Sequence, residues 1–276
     1  VPQTGTFIAP TLIRINGIAD LEREIFGPVL HVATFKATEL DDVIDAINTT
    51  GYGLTFGLQT RIDDRVQHVA DRIHAGNIYV NRNQIGAIVG SQPFGGEGLS
   101  GTGPKAGGPN YMGRFAATKP QDSGQWETKM PVDDLQNLID GATGAPTATT
   151  VSLPGPTGES NRLTTFARPP VLCLGPGEDT AAAQALVIKN LGGVAIQATG
   201  QINPEALESL HGFSGALWWG DSGFAQTCEQ ALARRRGPIL PLMTGMPDRA
   251  RALAERHICV DTTAAGGNAA LLGGAA

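Results

Sequence analysis

Hydrophobic and polar residues alternate along the chain with two periods, and each period predicts its own kind of element. Over 28–36 (PVLHVATFK) β-branched residues crowd together and predict a strand. Thr38, followed by Glu39 and Asp41, then marks a helix start with a capping hydroxyl and an acidic first turn. Leu40, Val43, Ile44 and Ile47 recur at helical spacing on one face, and Gly51 and Gly53 close that helix. Residues 53–60 (GLTFGLQT) predict a second strand, and Ile62, Val66, Val69, Ala70 and Ile73 form the stripe of a second helix stopped by Gly76. Residues 77–82 (NIYVNR) predict a third strand. Strand, helix, strand, helix, strand is an α/β pattern that favours a largely parallel sheet. A Gly-rich stretch over 84–109 follows, and a loop of that length inside a domain is usually functional.

Residues 116–168 carry the weakest pattern: one helix over 132–139, then GATGAPTATT and SLPGPTGESN. They read as a connector with an extended ribbon at 147–153, the natural place for a domain boundary. From residue 169 the alternation returns. Strands are predicted at 170–174, 193–198, 214–220, 238–245 and 258–263, with helices over 179–190, from 204, over 222–235 and over 247–256. Five short strands separated by four helices describe a doubly wound, Rossmann-like open sheet. The expected division is therefore 1–115, a connector over 116–168, an open-sheet domain over 169–257, and a last strand with its tail over 258–276.

Composition sharpens this picture at a few points. With 41% hydrophobic and 17% charged residues in 276, the chain can bury a core, and wholesale disorder is unexpected. Twenty Lys and Arg against 26 Asp and Glu leave a net charge of −6, without the basic footprint of a nucleic-acid binder. No apolar run approaches the ~20 residues of a membrane span, and no signal peptide opens the sequence. The start at Val1 reads as mid-domain, so the chain is expected to be a piece of something longer. Cys173, Cys228 and Cys259 are far apart and lack metal-ligand spacing, which suits a reducing cytoplasm and indicates neither disulfides nor zinc. Cys173 and Cys259 sit in apolar runs and read as small buried hydrophobes. His31, His68, His74, His211 and His257 form no ligand cluster, and no metal site is expected.

Two strings carry candidate chemistry. In Glu24-Ile25-Phe26-Gly27-Pro28-Val29, an acid and an aromatic two apart on extended chain project to the same side. Such a carboxylate can accept hydrogen bonds from both hydroxyls of a ribose while the ring walls a flat heterocycle; a strand entry with a surface Glu and a core Phe explains the spacing equally. In Gln92-Pro93-Phe94-Gly95-Gly96-Glu97-Gly98, continuing to Gly103, the glycines allow close backbone approach to a ligand and expose N–H donors. Residues 85–90 ahead of it could give two such donors to a carboxylate. Packing of this loop against its own domain is the plainer alternative. Gly175-Pro176-Gly177 follows a strand and opens a helix, yet Thr180 replaces the third Gly of a dinucleotide loop. Glu178 and Asp179 suit a helix N-terminus rather than a pyrophosphate. Arg234, Arg235 and Arg236 read as a helix C-terminal cap, and Trp218-Trp219 as one core ring and one surface or interface ring.

EIFGPV, the GNIYVNR strand and QPFGGEGLSGTG, in this order, resemble the C-terminal part of the aldehyde dehydrogenase superfamily. The wording of 81–109 is similar to its L-glutamate-γ-semialdehyde (1-pyrroline-5-carboxylate) dehydrogenase branch, and in particular to the bacterial bifunctional proline utilization A family of proline catabolism. The tail DTTAAGGNAALL over 261–272 resembles the C-terminal motif of that family, and 169–257 the extra domain of its longer members. The resemblance implies an NAD-dependent oxidoreductase that converts the semialdehyde to L-glutamate through a Cys thiolate, a hydride transfer and thioester hydrolysis. It implies that Glu24 binds the nicotinamide-ribose hydroxyls and Phe26 lies against the nicotinamide. Gly86 and Ala87 would then give backbone N–H groups to the substrate carboxylate, and Phe94 would wall its methylenes. The nucleophilic Cys and general-base Glu of that family precede EIFGPV, so no catalytic residue is assigned here, and FAD belongs to a proline-oxidising domain upstream. The implied partners are the aldehyde substrate and the remainder of the longer polypeptide, with homo-oligomers common to such enzymes. As a rival, the part after 116 would be a non-catalytic structural module, a lid on the route of the intermediate whose tail adds a strand to a β-flap.

Overall fold

The computed structural model describes residues 4–84, 87–101, 103–116, 118, 120, 124–142 and 148–262. Gly86 of the expected substrate loop, and most of the C-terminal tail motif, lie outside these residues. In chain order the elements are β1 (Thr11–Arg14), β2 (Val29–Val32), α1 (Leu40–Thr49), β3 (Tyr52–Gly53), β4 (Thr55–Leu58), α2 (Asp63–Arg72), β5 (Asn77–Val80) and β6 (Glu97–Gly98). They continue with α3 (Val132–Asp140), β7 (Thr149–Leu153), β8 (Glu159–Ala167), β9 (Val171–Cys173), α4 (Gly177–Asn190) and β10 (Ala195–Gln197). The last are α5 (Ala206–Ser209), β11 (Gly215–Leu217), α6 (Ser222–Ala233), β12 (Leu242–Met243), α7 (Arg249–Ala252) and β13 (Leu253–Asp261). The α/β class expected from the pattern is what the structure has.

Two larger sheets organise the fold. β10, β9, β11 and β12 form an open parallel sheet in that order. Alternation along β9 sends Val171 and Cys173 to one face and Leu172 and Leu174 to the other. α4 and α7 cover the first face; α3, α5 and α6 cover the second. This is the doubly wound arrangement, built on four strands instead of five. The fifth predicted strand departs from expectation. It lengthens into β13, leaves the open sheet and enters a five-stranded one of order β4-β5-β13-β8-β7. There it runs parallel to β5 and antiparallel to β8. The helix predicted over 247–256 shrinks to α7, because Asp248 caps Ala250 N–H at 2.8 Å and the next nine residues take up the ladder. The presumed connector is likewise half strand: β7 and β8 form a hairpin whose β8 pairs along all of β13.

Near the N-terminus, β2 is shorter than predicted and pairs only with β1, in a separate parallel ribbon. Its Leu30 and Val32 face outward, so it never joins the parallel sheet of β4 and β5. Thr38 does not cap α1; the Glu39 carboxylate accepts Lys36 N–H at 3.1 Å and closes a 3-10 turn ahead of the helix. Most of the predicted stripes bury: Ile44 of α1 and Val66, Val69, Ala70 and Ile73 along α2 pack on Ile78, Val80, Ile258 and Val260, with Leu40 and Ile47 partly buried, whereas Ile62 precedes α2 and is half exposed. Both Trp218 and Trp219 are buried, on opposite faces of β11, and their indole N–H groups reach the carbonyls of Asp221 and Gly245. Arg235 serves the C-terminal carbonyls of α5 (Leu207 and Glu208) rather than those of its own helix, and Arg234 pairs with Glu208 at 2.9 Å.

The face of the five-stranded sheet opposite Ile78, Val80, Ile258 and Val260 is polar and buried. On it the fully buried His257 ring sits between Asn77 (3.4 Å) and Asn161 (3.2 Å). Burial, reinforced by the charge of Lys105, pushes its pKa down to about 4. The unfolded chain therefore binds a proton below pH 6.5 that the folded chain refuses. Stability is full above pH 6.5 and falls as pH drops toward about 4, by on the order of 3 kcal/mol from this group. In urea unfolding followed from pH 7 to 4.5, His257→Gln is expected to flatten this slope; an unchanged slope would show that His257 is not the source.

Candidate functional site

The Gly-rich stretch is seated on that polar face. β6 pairs antiparallel with β3, placing Gly98 opposite Tyr52 and Glu97 opposite Gly53. Phe94 and Ala106 exchange backbone hydrogen bonds of 3.0 and 2.8 Å, and Ile88 and Gln92 close a tight antiparallel turn. Asn77 grips both neighbours of Phe94: its amide donates to Pro93 O at 2.8 Å and its oxygen accepts Gly95 N–H at 3.0 Å. Lys105, only 2% exposed, donates from Nζ to the same Asn77 oxygen at 3.0 Å and to Gly95 O. Its backbone N–H reaches Glu255 at 2.9 Å, and Asn110 holds the other oxygen of that carboxylate at 2.8 Å.

Farther along the same face Glu159 collects Arg82 at 2.7 Å, Gln92 at 2.8 Å and Asn161 at 2.8 Å. Arg82 also donates to the Cys259 sulfur at 3.0 Å. Burial raises the Glu159 carboxyl, but hydrogen bonds from Asn161 and Gln92 and the charge of Arg82 outweigh it and hold the group below its ordinary value. Burial pushes Lys105 down to about 8, with Glu97 and Glu255 opposing. Burial also raises all three thiols, Cys259 to about 11 and Cys173 and Cys228 to about 12. Each is a poor nucleophile at neutral pH.

Most of the glycines in this stretch serve packing. A Cβ on Gly101 would lie 2.0 Å from Gly96 O, and one on Gly96 would lie 2.7 Å from Ser100 O. The exposed part is residues 87–90. Ala87, Ile88 and Val89 face solvent, and Gly90 (φ +85°) has open space where a side chain would stand. Ala87 N–H makes no backbone hydrogen bond with another described residue. Phe94 is half-buried with its backbone fixed, as a wall requires.

Glu24 and Phe26 lie on exposed extended chain between a 3-10 turn at Ile18–Asp20 and β2. The Phe26 ring is 95% exposed, and Glu24 makes no hydrogen bond or ion pair with another described residue. Among the described residues, no hydrogen bond or ion pair joins this segment to 87–94. The dinucleotide-like turn after β9 is filled by the protein itself. Gln184 exchanges hydrogen bonds of 2.9 and 2.8 Å with Gly175, and a Cβ on Gly177 would meet Gln125 backbone at 3.2 Å. Sequence reasoning missed Asn77, Lys105 and Glu255. Asn77 is signalled by a polar residue at the start of a predicted strand, whereas Glu255 lies in a segment predicted as helix and Lys105 in the Gly-rich loop, with no periodicity to mark either. Among the described residues no group of His, Cys, Asp or Glu could hold a metal ion, and no helix is long and apolar enough to cross a membrane.

Comparison with known proteins agrees with the order of these strings. Residues 1–120 match the aldehyde dehydrogenase family. Over 98% of its length the chain is 37% identical to the bifunctional protein PutA of Salmonella typhimurium, covering 24% of that protein. It is 38% identical to the Rhizobium meliloti PutA over 97% of its length, covering 25%. Over 39% of its length it is 46% identical to the 1-pyrroline-5-carboxylate dehydrogenase of Bacillus subtilis, covering 21%. Its fold matches that of proline utilization A from Corynebacterium freiburgense with a TM-score of 0.56 at 22% identity, over 87% of this chain and 26% of that one. The chain thus spans about a quarter of the length of the curated relatives it matches. The similarity to the aldehyde dehydrogenase family is carried by residues 1–120.

Proposed function

We propose that the chain forms part of an NAD-dependent L-glutamate-γ-semialdehyde dehydrogenase, in which it binds the cofactor ribose and the substrate carboxylate. The main support is similarity at two scales: residues matching a 1-pyrroline-5-carboxylate dehydrogenase, inside a chain that matches PutA proteins almost end to end. The available groups fit. Glu24 offers a carboxylate with no described protein partner, able to accept two ribose hydroxyls, and the bare Phe26 ring offers a face to a flat heterocycle. When bound, NAD would supply the hydride acceptor. The exposed turn at Ala87, whose N–H has no backbone partner among the described residues, offers a donor to a small anionic head, and Phe94 offers apolar surface to a short methylene chain.

On this reading the covalent step belongs to other parts of a longer polypeptide, since the three thiols here are buried and protonated. FAD likewise belongs to a proline-oxidising part outside this chain. The region after residue 116 acts as structure. Its turn at 175–177 is occupied by its own backbone and Gln184, so it covers and braces the dehydrogenase part without binding a nucleotide.

Two substitutions test the assignment in the polypeptide that carries dehydrogenase activity, followed by NADH formation. Glu24→Gln is expected to raise KM for NAD roughly 10-fold or more and leave KM for the aldehyde near its original value, as the loss of a charge-assisted hydrogen bond predicts. Phe94→Ala is expected to do the reverse, raising KM for the aldehyde by about 10-fold through lost apolar contact. Unchanged constants in either variant remove that residue from the site.

A further inference from the structure

A cavity of about 280 Å³ opens between the two larger sheets, bounded by the Gly-rich stretch, the β8–β9 link, the segment before β12, and α7. One side of it is cationic: Arg114, Arg168 and Arg251 line it from three separate segments. Arg168 Nε donates to the carbonyls of Ala250 and Leu253, both at 3.0 Å, which fixes its guanidinium plane. Its terminal amines have no described hydrogen-bond partner, and neither has the Arg251 side chain. Arg114 pairs by charge with Asp248, its Nε 2.7 Å from the carboxylate but outside hydrogen-bond geometry.

Local countercharge falls short. Among the described residues, the carboxylates acting on Lys105, Arg168 and Arg251 are Glu97, Asp248 and Glu255. Glu97 already faces Arg256 at 3.6 Å, and Glu255 is engaged by Lys105 N–H and Asn110. Burial holds both Arg168 and Arg251 below the ordinary guanidinium value; Glu97, Glu255 and Asp248 oppose it at Arg168, and Asp248 opposes it at Arg251. Opposite them the wall is apolar, with Phe213, Ile239 and Leu240. A planar guanidinium fork matches oxyanions in bidentate fashion, and the volume lies at the small end of ligand cavities.

We propose that this cavity binds a small organic dianion, its phosphate or paired carboxylates held by Arg168 and Arg251 and its carbon portion lying on Phe213 and Leu240. The site is separate from Glu24, Phe26 and the 87–94 turn, and it stands or falls independently of the dehydrogenase assignment.

Calorimetric titration of the 276-residue chain at constant ionic strength tests it, with inorganic phosphate and succinate as probes and chloride as reference. Saturable binding of at least one probe is expected, and the tighter one identifies the oxyanion. Arg251→Gln should weaken that binding at least 10-fold with unchanged circular dichroism. Ile239→Glu, at an exposed position of the wall, should weaken it comparably by placing a fixed carboxylate beside the guanidinium groups, and this keeps the test decisive if Arg251→Gln misfolds. Absence of saturable binding, or equal affinity in folded variants, overturns the proposal.

Discussion

The structure depends on the register of β13. Nine consecutive residues, Leu253 to Asp261, pair with Ala167 to Glu159 of β8 on one side, and four of them pair with β5 on the other. Because side chains alternate along a strand, a slip of one residue would turn Ile258 and Val260 onto the polar face and drive Glu255, His257 and Cys259 into the α1–α2 core. The register is fixed from both faces at once. Leu253 lies in the core under the open sheet, while Ile258 and Val260 lie in the core under α1 and α2, so the same strand ties the two units together. Segments nearly 200 residues apart in sequence thereby become neighbours, as in the pairing of Asn77 with His257.

That register places a demanding set of groups out of water. Lys105, Glu255, Glu159, Arg82 and His257 all meet on the covered face of the sheet, where an unpaired charge would cost several kcal/mol. The cost is met by geometry. Lys105 has Asn77 and Gly95 as acceptors, Glu159 has three donors, and His257 escapes by staying neutral. Such pairing confers specificity more than stability, since each hydrogen bond also fixes where the Gly-rich stretch can lie. Asn77 is the clearest case: by holding Pro93 and Gly95 it sets the backbone on both sides of Phe94.

Much of this organisation could be read from the sequence, and the failures share a cause. Most of the stripes of α1 and α2, the strand at β5, the first four strands of the open sheet and its helices up to α6 follow from local periodicity, and they formed. Local pattern cannot say which sheet a strand will join. The ICVD run of β13 looks like the natural fifth strand of the open sheet, yet its ladder partners sit at 77–80 and 159–167. β8 was hidden because ESNRLTTFA alternates polar residues that turn out to face a buried polar layer, so the usual contrast between inside and outside is lost. One ring of the Trp218–Trp219 pair was expected at a surface or interface, yet both are buried because helices cover both faces of the open sheet. Of the expected site, the exposure of Glu24, Phe26 and Ala87 was legible from their extended or Gly-flanked contexts. The buried supports behind Phe94 were not, since nothing in the spacing of Asn77, Lys105 and Glu255 announces that they converge.

The same distinction explains how the glycines divide their roles. Gly76, Gly96 and Gly101 allow backbones to meet at distances no side chain would permit, with a Cβ on Gly76 falling 2.1 Å from Gly95 O. They lock the stretch onto the sheet. Gly90, at positive φ with open space where a side chain would stand, spends its own N–H on Gly107 O at 3.0 Å and leaves the turn's outer surface bare. A binding turn needs both kinds: packed glycines to make a rigid base, and an open one to bring backbone N–H groups to the surface. The Gly-rich stretch therefore acts as a short exposed turn on a rigid base. The base owes its rigidity to the charges buried beneath it.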